Sequence, residues 1–170
     1  MKNNARRSGR VQAIVAGGLL AAVLDAANAL VAYKLAFGMS PLAIYQFVAS
    51  GMLGQGAFAG GIGTALVGVS VHLLVAFAAA TVFVLASERL PSLRRDAVGW
   101  GLAFGVGVFL VMNGVVIPLS RIPASVPPLP LLIDGVVAHA LLVGLPIALA
   151  ARRFLGSPGR AALAGAVPEI

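Results

Sequence analysis

The chain has two histidines, and they sit in nearly the same phrase: His72 in GVSVHLLV and His139, 67 residues later, in GVVAHALLV. Each follows a Gly-Val pair by the same interval, inside a long apolar run. An imidazole so placed can relay protons, hold a haem iron, or hydrogen-bond to a neighbouring helix. Four more polar side chains interrupt the apolar runs. Asp25 and Asn28 are three apart and share a helix face. Asn113 and Asp134 stand singly in later runs. A carboxylate beside an imidazole can exchange a proton with it, and both types are the usual parts of intramembrane relays.

What must position these groups follows from composition. Charged residues are 10% of the chain, against roughly a quarter in soluble domains. Four apolar runs, 11–37, 64–86, 97–119 and 129–151, each have the ~20 residues needed to cross a hydrocarbon core of about 30 Å. Backbone groups in hydrocarbon must be satisfied within the segment, so such runs are helices. A transmembrane barrel would instead need alternating segments of about ten residues, which the sequence lacks. The expected fold is therefore all-α and polytopic, with four transmembrane helices spanning 11–154. A basic segment, 1–10, precedes them and a flexible tail, 155–170, follows.

The net charge of +7 could suggest nucleic acid, but its distribution points to a bilayer. Ten of the twelve Lys and Arg residues lie before the first run, between the second and third, or after the fourth. Only Lys34 and Arg121 fall in the alternate connections. This asymmetry places both termini in the cytoplasm. The N-terminal run followed by Ala27-Asn28-Ala29 has the outline of a signal peptide. The chain stays apolar beyond that point, however, and cleavage would leave an odd number of spans, so an uncleaved first span is expected. With no cysteine, disulfides, iron–sulfur clusters and thiol catalysis are excluded.

The first outer connection is longer than a turn requires. Ser40-Pro41 is a helix start, and a helical pattern runs from Pro41 to Leu53 before a glycine-rich stretch, 54–63. Thirteen residues cannot span, so this is an interfacial or re-entrant helix, either capping the bundle or gating it. Asp96 is placed to cap the third span, and Pro146 should kink the fourth. The second outer loop, SRIPASVPPLP, reads as stiff and extended.

At about 1.5 Å per residue, His72 lies some 12 Å and His139 some 15 Å from the outer ends of their spans. Asp25, Asn28, Asn113 and Asp134 also fall in the outer half, and the inner half is almost purely apolar. Small residues mark helix contacts in membranes. Gly18 lies near Asp25, Gly68 and Gly135 each precede a histidine by four, and Gly101 and Gly105 lead toward Asn113. The polar groups therefore point into the bundle. Asp134 and His139, five apart, lie some 140° apart on an ideal helix and need not share a partner. The repeated phrase also suggests two hairpins of the same sense, as in parallel repeats about an axis along the membrane normal.

Four readings stay open. The polar residues hold the bundle together by hydrogen bonds; they form a pocket or proton-coupled path for a small solute; His72 and His139 hold haem b; or the glycine-rich faces dock onto a homo-oligomer or larger membrane complex. The expected cofactor set is empty. No GxSxG, HExxH or phosphate-loop motif is present, so no enzyme activity is expected.

The segments GGLLAAVLDAANA, SPLAIYQFVASGMLGQGAFAGG, VMNGVVIPLS and VGLPIALAARRF, with the histidine-bearing second span, resemble a family of small four-span bacterial inner-membrane proteins. They are similar to the YagU-like proteins, which share a histidine-bearing span, a basic cytoplasmic turn and a proline-containing outer loop. The resemblance covers most of residues 17–154. It implies a topology and a bacterial source, and assigns no activity to any residue.

Overall fold

The computed structural model describes residues 2–122 and 127–156. Five helices make up the fold: α1 (Lys2–Phe37), α2 (Pro41–Leu53), α3 (Gly61–Arg89), α4 (Ala97–Leu119) and α5 (Leu129–Leu155). There is no strand among the described residues. Four of the helices, all but α2, are long and apolar enough to cross a membrane. A 3-10 segment, Gly54–Ala59, joins α2 to α3, and a single helical turn, Ser92–Arg95, joins α3 to α4.

The helix boundaries follow local chemistry. Ser40 Oγ accepts from Ala43 N at 3.2 Å and Pro41 opens α2. Asp96 Oδ1 accepts from Gly99 N at 3.0 Å at the start of α4. Gly38 and Gly54 follow the C-termini of α1 and α2 at φ +67° and +65°, a conformation that would strain a residue with a Cβ.

One boundary differs from the sequence reading. The basic segment 1–10 is not a separate element, because α1 begins at Lys2 and runs without a break into the first span. No proline or glycine interrupts it before Gly9, and Arg10 is held by Glu88 of α3 at 2.9 Å. At the same end, Arg94 donates to the carbonyl of Leu155 at 3.0 Å, satisfying the C-terminus of α5. Most of the described basic residues thus gather at one end of the bundle, with Lys34 and Arg121 toward the other. The tail expected over 155–170 gives up Leu155 to α5, and 157–170 lie outside the described residues, as do 123–126 of the proline-rich loop.

The core occupies the basic half. Ala13, Ala80, Phe83, Val84, Ile147, Ala148 and Ala151 are buried together, with the rings of Phe83 and Phe104 edge to face at 5.0 Å. Small residues let the helices approach. A Cβ on Gly101 or Gly105 would collide with the α5 backbone at Gly144–Leu145 and His139–Ala140, and one on Gly18 would meet the ring of Phe77. One on Gly68 would strike the backbone carbonyl of Tyr45, so this glycine seats α2 on α3.

Pro146 does not produce a simple break. The helix widens to π geometry over His139–Gly144, ending just before the proline, and α4 does the same over Met112–Val116 before Pro118. Proline lacks an N–H and crowds the carbonyl four residues back. Opening the preceding turn to an i→i+5 pattern relieves both problems without ending the helix.

Candidate functional site

The six polar residues read from the sequence meet in one place. Asp25, Asn28, His72, Asn113, Asp134 and His139 all line a single cavity of about 230 Å³, at the end of the bundle opposite the basic residues. Four helices bring them together: Asp25 and Asn28 from α1, His72 from α3, Asn113 from α4, and Asp134 and His139 from α5. Asn113 and His139 both stand in the π-helical turns. Wide turns of this kind rotate side chains out of the ordinary helical register and are frequent at functional sites.

Asp25 stands between the histidines. Its Oδ2 is 4.0 Å from Nδ1 of His72 and its Oδ1 3.9 Å from Nδ1 of His139. These separations are ion-pair distances, longer than a hydrogen bond. The rings are fixed by other contacts. Nε2 of His72 is 3.0 Å from the carbonyl oxygen of Ala22, and a carbonyl can only accept, so this nitrogen carries a hydrogen. A neutral His72 would therefore aim the lone pair of Nδ1 at the carboxylate, an arrangement favoured only when a proton is shared between the two. Nδ1 of His139 is 2.9 Å from the carbonyl oxygen of Gly135 and carries its hydrogen by the same argument. The repeated phrase thus brings both imidazoles to one carboxylate with different ring nitrogens engaged. In the second copy the glycine itself supplies the accepting carbonyl.

Asp134 and Asn28 form a second pair. The Asn28 amide donates to Asp134 Oδ2 at 2.9 Å, joining α1 to α5. Asp134 and His139 accordingly serve different partners. Asn113 joins neither pair, since its amide donates to Phe109 O within its own helix at 3.0 Å.

Haem b does not suit this arrangement. The Asp25 carboxylate lies within 4.0 Å of both imidazoles, in the space an iron between them would need. Among the described residues no group of three His, Cys, Asp or Glu side chains is arranged to hold a metal ion.

Several lining residues escaped the sequence reading. Tyr33, Tyr45 and Phe47 are among them; with Phe109, which lies on the line from Gly101 and Gly105 to Asn113, they supply an aromatic lining, with Tyr33 and Phe47 at 6.3 Å between centroids and Phe109 edge-on to His139 at 5.5 Å. Tyr33 follows Asp25 and Ala29 on an i, i+4, i+8 stripe, so periodicity could have found it. α2 is more than a cap, because Ile44, Tyr45, Phe47 and Val48 form a wall of the cavity. Gln46 ties it to the start of α3, donating to Gly61 O at 3.0 Å. Gly51 O accepts from Arg121 N at 2.9 Å, tying its far end to the loop after α4.

Below the first cavity lies a second of about 150 Å³, lined mainly by aliphatic residues of α1, α3, α4 and α5. Asp25, Val48, His72, Met112 and His139 belong to both linings. No family model matches the chain, and no curated protein or solved structure matches it either.

Proposed function

We propose that the chain is an integral protein of the bacterial inner membrane, with both termini cytoplasmic, that binds a small solute in a cavity facing the outer side. Supporting this is the convergence of six intramembrane polar residues from four helices on one cavity of about 230 Å³. Ionisable groups within spans are costly, by at least about 2.5 kcal/mol on the mildest scale, and are the default markers of a functional site. The volume lies below the roughly 300 Å³ at which pockets for drug-sized ligands begin, so the solute is small.

The apolar core fills the basic half of the bundle, so this conformation supports binding from one side. The orientation rests on the charge asymmetry. No catalytic step is assigned.

A second reading, polar residues acting as bundle glue, draws support from the direct Asn28–Asp134 hydrogen bond between α1 and α5. The two readings separate at Asp25, which makes no direct hydrogen bond to another helix. Thermal unfolding of Asp25→Asn in detergent, together with a solute screen by calorimetry, tests the choice. A normally folded variant that has lost ligand binding supports the cavity. Unchanged ligand response in both Asp25→Asn and Asp134→Asn removes the reason for calling it a site.

A further inference from the structure

The cavity's lining is electrically one-sided. It contains two carboxylates, Asp25 and Asp134, and neither lysine nor arginine. The histidines both flank Asp25, at 4.0 and 3.9 Å from its carboxylate oxygens. Asp134 stands apart from them. Its one hydrogen-bond partner among the described residues is the neutral amide of Asn28, and no ion pair there reaches it. A carboxylate set in a largely apolar cavity, with a single neutral donor, retains most of its capacity to accept. The same cavity is lined by Tyr33, Phe47 and Phe109, whose ring faces attract positive charge and whose bodies accept hydrocarbon.

Resting on the reading of the cavity as a solute site, we propose that its ligand is a small organic monocation, a protonated or quaternary amine. Its charge sits at Asp134 and its carbon body lies against the aromatic wall. An anion would meet two carboxylates and no fixed cation. A neutral solute would leave Asp134 uncompensated. A bare inorganic cation would make no use of the aromatic wall.

The test is titration calorimetry on the purified full-length protein in detergent with three probes of one shape: benzylammonium, benzyl alcohol and benzoate. Benzylammonium is expected to bind at least about tenfold more tightly than benzyl alcohol, the scale of one charge-assisted contact, with benzoate weakest. Asp134→Asn keeps an acceptor for Asn28 and so preserves the helix contact. It should weaken benzylammonium at least about tenfold while leaving benzyl alcohol unchanged. Equal binding of benzyl alcohol or benzoate overturns the cation assignment and leaves a solute cavity standing. Loss of benzylammonium binding in Asp25→Asn but not Asp134→Asn overturns the choice of anchor. Binding by none of the three overturns the assignment, and a silent Asp25→Asn would then overturn the cavity reading as well.

Discussion

Asp25 offers one carboxylate oxygen to His72 and the other to His139, at 4.0 and 3.9 Å from the respective Nδ1 atoms. The trio is partly open, with side-chain exposures of 21%, 19% and 21%, so its protons can exchange with whatever fills the two cavities it lines. At these distances a charge on any one member acts on the other two.

Asp25→Asn and Asp25→Leu should therefore part company. The amide keeps shape and polarity, and the protein should unfold within about 1 kcal/mol of the parent. Leucine removes the ion-pair partner of both histidines and should cost about 1–3 kcal/mol. Thermal unfolding across about pH 5 to 8, where imidazoles ordinarily change charge, should give a flatter pH response for the Asn variant. An unchanged response would show that Asp25 and the histidines are not coupled.

Gly105→Leu should disrupt the bundle more than Gly107→Leu, although the two are neighbours on α4. A Cβ at 105 collides with the backbone at His139–Ala140, whereas a Cβ at 107 meets nothing within 4 Å. A loss of about 2 kcal/mol or more is expected at 105 and little at 107, read as thermal stability in detergent. Equal effects would show that α4 and α5 do not meet along this face.

The number of spans, the capping by Ser40 and Asp96, and the six polar lining residues were legible because each rests on a local signal: run length, a side chain at an N-cap, or an ionisable group in an apolar run. The partners were not legible. That Asn28 meets Asp134, while Asn113 turns back to its own helix, depends on helix rotations that no periodicity specifies. The π turns were half-visible. Pro118 and Pro146 announce a disturbance, but a proline alone does not tell a widened turn from a break. The wall built by α2 was hidden because Tyr45, Phe47 and Val48 look like any apolar loop helix until Gly68 is seen to admit the Tyr45 carbonyl.

Topology follows from charge. Ten of twelve basic residues lie in segments on one side of the spans, so reporter fusions after Arg94 and Arg153 should read cytoplasmic and one near Ala124 periplasmic. A periplasmic signal at Arg153 would contradict four spans with both ends inside.

Purified protein expressed with haem supplementation should show no Soret band. The Asp25 carboxylate sits between the imidazoles, within 4.0 Å of each. A bis-histidine spectrum abolished by His139→Ala would mean that the trio rearranges around iron.

Because the chain contains no cysteine, a single introduced thiol can report which cavity opens outward. Ala29 lines the polar cavity beside Asn28, whereas Ala80 is fully buried in the apolar core. In intact spheroplasts, Ala29→Cys should react with membrane-impermeant methanethiosulfonates added outside, and Ala80→Cys should not. If the carboxylates set the field inside the cavity, a trimethylammonium reagent should outpace a sulfonate reagent at Ala29→Cys by about tenfold or more, beyond their intrinsic rate difference on a free thiol. Adding Asp134→Asn should narrow that ratio. Protection of Ala29→Cys from outside, or equal corrected rates for the two reagents, would place the opening elsewhere or deny the cavity its negative field.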